Sequence, residues 1–171
     1  MLADSVFALM TGSPGSEADA LCAALNALFP PRPITRAMLE EPTAGWEDYK
    51  GGDLVQQLEG RSWDELEPAF IEQHHSALRY TGPEAFGALL PAYLRHLLQH
   101  RAFNDIPFVV AGELQRYGNP VNVGVFDARI ERLTAAQRAV VKRIVAFLTT
   151  REPMQAAMSA TFESYWRSQE E

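Results

Sequence analysis

Two histidines four residues apart, His96 and His100 in the stretch LLPAYLRHLLQH (residues 89–100), come nearest in type and spacing to a chemical site. On a helix they share one face, as the first two ligands of many zinc sites do. The residues between them are Leu97, Leu98 and Gln99, so the glutamate base of an H-E-x-x-H hydrolase is missing. A third ligand would have to come from His74, His75 or Glu72 on an antiparallel neighbour. A metal-dependent enzyme built on His96, His100 and His74 is therefore an alternative reading. The competing and preferred one places these histidines on a polar helix face or its boundary.

Other chemistries find less support. Cys22 falls on an apolar stripe, where a buried inert thiol is expected rather than a nucleophile. TGSPGS, residues 11–16, has no serine centred between its glycines and is not a G-x-S-x-G elbow. Neither a phosphate-cradling G-x-x-x-x-G-K loop nor G-x-G-x-x-G occurs. Arg138 and Lys142, with Arg129, Arg132 and Arg151 nearby, lack the interleaved aromatics of a single-strand platform and are read as a solvated face. No enzyme activity, cofactor or nucleic-acid partner is expected.

The elements that position these residues read as helices separated by proline and glycine. Ser16 is expected to cap a first helix, with Leu21, Cys22, Leu25, Leu28 and Phe29 on one face until FPPRP ends it. Residues 42–53 read as a loop followed by a short helix to Leu58, and Ser62 with Glu65 forms a capping box. Pro68 restarts or bends the chain. Thr81 and Glu84 suggest a second capping box, opening a central helix that Pro91 is expected to kink, with Phe86, Leu89, Leu90, Tyr93, Leu94 and Leu97 continuing across the bend.

Beyond Arg101 the pattern weakens. Residues 106–118 suit a short helix, although PFVV alone suits a strand, and alternating Val121, Val123 and Val125 suggest one short extended segment near 121–126. Thr134 and Gln137 make a third capping box before a helix with Val140, Val141, Ile144, Phe147 and Leu148 inward. A last helix from Pro153 turns Met154, Met158, Thr161, Phe162 and Trp166 to the core. The fold class expected is mainly α: one multi-helix domain over residues 1–171, with 1–15 a loosely ordered N-terminal segment.

Length and composition agree with this. A chain of 171 residues with 47 % hydrophobic and 22 % charged residues can bury a self-sufficient core without metal or disulfide. A single cysteine suits a reducing compartment. MLADSVFALMTG lacks a basic start and carries Asp4, Cys22 lacks the small residues of an acylation site, and no run approaches a membrane span, so a cytoplasmic location without membrane partners is expected.

The net charge of −7 is uneven: residues 1–78 carry net −9 and residues 79–171 net +2. Most of the excess lies between Glu40 and Glu72, faced only by Lys50 and Arg61. Such a field repels nucleic acid and attracts a cationic partner. The expected function is a small acidic binding protein, of the immunity type that occludes a basic toxin. Glu40, Glu41, Glu47, Asp48 and Asp53 would supply the charge, and Trp46 and Tyr49 the aromatic anchors. A further alternative is a structural or regulatory module that self-associates through its Met-rich last helix.

The segments FPPRPI, GRSWDEL, LRYTGPEAFGALLPAYL and LTAAQRAVVKRIVAFL together resemble an uncharacterised bacterial family over roughly Leu21 to Leu148. Ala88 and Leu89 stand where many relatives carry an aromatic before the L-P-A-Y-L run. The resemblance implies an all-α fold and brings no activity or functional residue with it.

Overall fold

The computed structural model describes residues 14–41, 54–99 and 105–169, and these form nine α-helices, three 3-10 turns and no strand. In chain order the helices are α1 (Pro14–Leu28), α2 (Arg36–Leu39), α3 (Leu54–Leu58), α4 (Pro68–Gln73), α5 (Pro83–Gln99), α6 (Ile106–Glu113), α7 (Pro120–Glu131), α8 (Ala135–Leu148) and α9 (Gln155–Ser164). The 3-10 turns are Trp63–Glu65, Ala77–Tyr80 and Trp166–Ser168.

The central helix is α5, as its unbroken apolar pattern requires. Thirteen of its residues are buried, and it packs against α1, α2, α4, α6, α7 and α8. A helix hydrophobic nearly all round can only sit inside the molecule. Pro91 lies within it, yet the helix runs through from Pro83 to Gln99. The proline removes one ladder bond, that to the Gly87 carbonyl, while burial of its neighbours holds the rest in place. Leu94 is 0 % exposed, and truncating it to alanine would cost about 2–5 kcal/mol.

Several starts and stops differ from expectation. Helix α1 begins at Pro14, two residues before the expected cap Ser16, so residues 14 and 15 belong to a helix rather than to a loose segment. Helix α2, capped by the Thr35 hydroxyl that accepts from the Met38 N–H at 3.3 Å, has no counterpart in the sequence reading. Pro68 restarts the chain as the first residue of α4. Thr81 does not cap α5, because its hydroxyl donates to the Leu78 carbonyl at 2.7 Å. α9 begins at Gln155, two residues beyond Pro153.

The expected extended segment near 121–126 is helical instead. Asn119 accepts from the Asn122 N–H at 3.0 Å and Pro120 occupies the first helical position, so α7 starts with two strong signals. Its valine alternation does not mark an inner face: Val121 and Val125 are exposed, whereas Phe126, Arg129 and Ile130 are buried and α7 packs on α5. PFVV likewise lies in helix α6.

The C-terminal elements follow their patterns. Thr134 and Gln137 form the capping box of α8, and Val140, Val141, Ile144, Phe147 and Leu148 are buried. Met154, Met158, Thr161 and Trp166 are also buried, which removes the methionines of the last helix from any self-association surface. The Trp166 indole N–H donates to the Leu114 carbonyl at 2.8 Å, so this large ring is buried with its polar handle satisfied.

Candidate functional site

The acidic stretch after α3 is fastened to the second half of α5 by Arg95. Ser62 and Glu65 close the expected capping box: the Ser62 N–H donates to Glu65 Oε2 at 2.7 Å and its hydroxyl to the same oxygen at 3.0 Å. These two donors hold the Glu65 carboxyl below its ordinary range. Trp63 between them is buried, its indole N–H donating to the Phe29 carbonyl at 2.9 Å. The Arg95 guanidinium lies 5.0 Å from the Trp63 ring centroid and donates to the carbonyls of Asp64, Trp63 and Leu66 at 3.3, 3.4 and 3.1 Å.

Arg61 behaves the same way. Its Nη2 donates to the Glu65 carbonyl at 2.6 Å and its guanidinium rests on the Phe70 ring. Among the described residues, the two arginines at this stretch, Arg61 and Arg95, are thus bonded to backbone oxygens rather than to carboxylates. Asp64 and Glu67, both exposed, have no ion pair among the described residues. Glu67 stands at the N-cap of α4 without using its carboxylate there. Glu72, half exposed, faces His96 Nε2 at 3.9 Å.

The other expected acids serve the fold. Glu40 pairs with Arg36 at 3.2 Å, and Arg36 also reaches Glu59 at 2.8 Å, which raises the guanidinium's pKa further. Glu41 Oε2 accepts from the Glu84 N–H at 3.2 Å and so caps the start of α5 across 43 residues of chain. A Cβ at Gly82 would lie 2.4 Å from that same oxygen, so the close approach requires glycine. Trp46, Glu47, Asp48, Tyr49 and Asp53 lie outside the described residues.

Of the histidines, His96 is 3 % exposed and His74 6 %, so both are core residues rather than members of a polar face. His74 ends α4, its carbonyl accepts from the Tyr93 hydroxyl at 2.7 Å, and its ring lies 4.6 Å from that of Phe70. Burial first, and then neighbouring His75, push its pKa down. His100 lies outside the described residues. Among the described residues, no three metal-ligating side chains gather closely enough to hold an ion. The structure brings Glu72 to His96, and among the described residues no third ligand joins the pair.

The basic residues are not a uniformly solvated face. Arg129 is 4 % exposed and donates to Glu113 Oε2 at 2.6 Å and to the carbonyls of Arg79 and Thr81 at 2.9 and 2.7 Å. Arg138 and Lys142 donate to the carbonyls of Leu133 and Gln169, and Arg151 to that of Leu98. Only Arg132 of this group is exposed without an ion pair among the described residues. Cys22 is half-buried and its thiol is pushed up, mainly by burial and next by Asp19, which opposes thiolate chemistry.

A family of unknown function (DUF6714) matches residues 45–170. No curated protein and no solved structure matches the chain. Among the described residues no helix is long and apolar enough to cross a membrane.

Proposed function

Because the chain belongs to this family of unknown function, its role has to be read from its own surface, and we propose that it is an acidic binding protein for a basic protein partner. The observation that carries this reading is the placement of Arg61 and Arg95 on backbone carbonyls, which leaves Asp64 and Glu67 outward without neutralising cations. An immunity-type role, in which a cytoplasmic inhibitor occludes a basic toxin, is its specific form. Residues Glu47, Asp48 and Asp53 would extend the field, with Trp46 and Tyr49 as anchors. Complementary charge accelerates encounter and makes capture sensitive to salt.

The test compares the wild-type chain with an Asp64→Lys, Glu67→Lys variant in capture from host lysate at low and high salt. Glu131→Lys, exposed on α7, is the control. The reading expects a basic protein held by wild type and control at low salt, released at high salt, lost with the double variant, and inhibited when bound. Equal capture by the double variant would overturn the electrostatic surface. Capture without inhibition would overturn the immunity role.

A second reading, self-association, is supported by the exposed side chains of Phe108, Val121 and Val125 rather than by the last helix. It expects a mass that rises with concentration and returns to monomer on Val121→Lys substitution. A constant monomer mass would overturn it.

A further inference from the structure

A cleft of about 310 Å³ lies between the end of α1, the first half of α5 and the α7–α8 connection. Its apolar surface comes from Phe29, Trp63, Pro91 and Leu133, and its polar rim from Arg32, Glu84 and Arg132. The space exists because α5 presents Gly87, Ala88 and Pro91 here, three residues with no long side chain. A Cβ at Gly87 would meet Leu133 Cδ2 at 3.7 Å, an ordinary contact, so alanine fits while a longer side chain would enter the cleft.

The rim is locally positive on a protein of net charge −7. Arg32 and Glu84 face each other at 3.8 Å and offset one another. Arg132 has no ion pair among the described residues, and it stands exposed at the edge of the apolar walls, within reach of a ligand that rests on them. A concavity with apolar walls, a polar rim and one charge without an ion pair has the elements of a small-molecule site, and the cleft is at the small end of that class. We propose that this cleft binds a small organic monocarboxylate, with its aromatic or aliphatic body on Phe29, Trp63 and Leu133 and its carboxylate on Arg132. Neither Asp64 nor Glu67 lines the site, although Trp63, the chain neighbour of Asp64, does.

The experiment is a heteronuclear NMR titration of the full chain with phenylbutyrate and, as isosteric neutral and cationic counterparts, phenylbutyramide and phenylbutylamine. Saturable shifts are expected at the Gly87 amide, the Gln137 side-chain amide and the Trp63 indole N–H. The amide should bind at least about tenfold more weakly, the difference expected for one lost charge-assisted contact, and the amine more weakly still. Arg132→Gln should abolish the preference for the carboxylate while keeping the weak apolar binding. Gly87→Leu should block all three probes, Gly87→Ala should block none, and Arg143→Gln, exposed and outside the cleft, should change nothing. If Gly87→Leu fails to fold, the Arg132→Gln comparison still decides. Equal affinity for carboxylate and amide, shifts confined to other residues, or no saturable shift would each overturn the proposal.

Discussion

Arg129 Nη1 and Glu113 Oε2 meet at 2.6 Å with 4 % and 13 % of their side chains exposed. The same guanidinium holds the carbonyls of Arg79 and Thr81 and lies 4.7 Å from the Phe86 ring centroid. One side chain thereby ties α6, α7 and the turn before α5 together. Removing one partner of a buried pair strands the other, so Arg129→Leu should lower stability by about 3–5 kcal/mol. Arg79, which approaches Glu113 at 3.2 Å but is 55 % exposed, should cost under about 1 kcal/mol on truncation to alanine. Urea denaturation of both variants measures this, and similar losses would show that the buried geometry carries no special weight.

Glu41 and Gly82 make a second, testable pair. Substituting Gly82 by alanine places a Cβ against Glu41 Oε2 and displaces the oxygen that caps the Glu84 N–H. The expected loss is about 1–2 kcal/mol, the size of a cap contribution. Glu41→Ala removes the cap and the carboxylate part of the clash but keeps a Cβ 2.9 Å from the new methyl, so the penalty of Gly82→Ala should shrink without vanishing in that background. A double-mutant cycle reads the coupling, and strictly additive losses would place the cost in the backbone at position 82 instead.

Thr134 and Gln137 cap α8 reciprocally, the Gln137 N–H donating to Thr134 Oγ1 at 3.1 Å and the Thr134 N–H to Gln137 Oε1 at 2.9 Å. Gln137 Nε2 additionally donates to the Leu28 carbonyl at the end of α1 at 3.0 Å. Thr134→Ala should therefore cost about 1 kcal/mol, and Gln137→Ala more, since it also releases α1. Thermal unfolding of the two variants tests the order, and a larger loss at Thr134 would contradict it.

How much of this was readable depends on how local each signal is. The box at Thr134 and the one at Ser62 were legible because donor and acceptor lie three residues apart, and α5 was legible because its apolar residues recur without interruption. The Thr81 box failed for two reasons, one local and one not: the Thr81 hydroxyl turns back to the Leu78 carbonyl, and Glu41, 43 residues away, takes the position at the start of α5. The valines of 121–126 suggested a strand because they alternate, whereas the helix start that governs this stretch is carried by only two residues, Asn119 and Pro120. Arg129 looked like one more surface base, since nothing nearby in sequence announces that Glu113 and two carbonyls will surround it. The acidic excess was visible in composition, but which acids stay without a cation depends on where Arg61 and Arg95 donate. Convergence of that kind has no sequence period.

Protonation of His74 gives a stability change with its own pH window. Burial, aided by His75, holds its folded pKa below the ordinary 6.5, whereas the unfolded ring titrates near that value. Between the two values the unfolded chain binds more protons, so the free energy of unfolding falls as pH falls. The contribution is complete above about pH 6.5 and is lost as the pH drops toward the folded value. Glu65 and Asp127 are depressed by Ser62 and by Arg116 respectively, so they add stability that is present above their ordinary 4.5 and 3.8 and lost only on further acidification. Acid destabilisation should accordingly come in two stages. In His74→Gln the loss that begins below the ordinary histidine value should shrink while the stage in the carboxylate range persists. Urea midpoints across both stages decide the matter, and an unchanged upper stage would mean that His74 is not the group responsible.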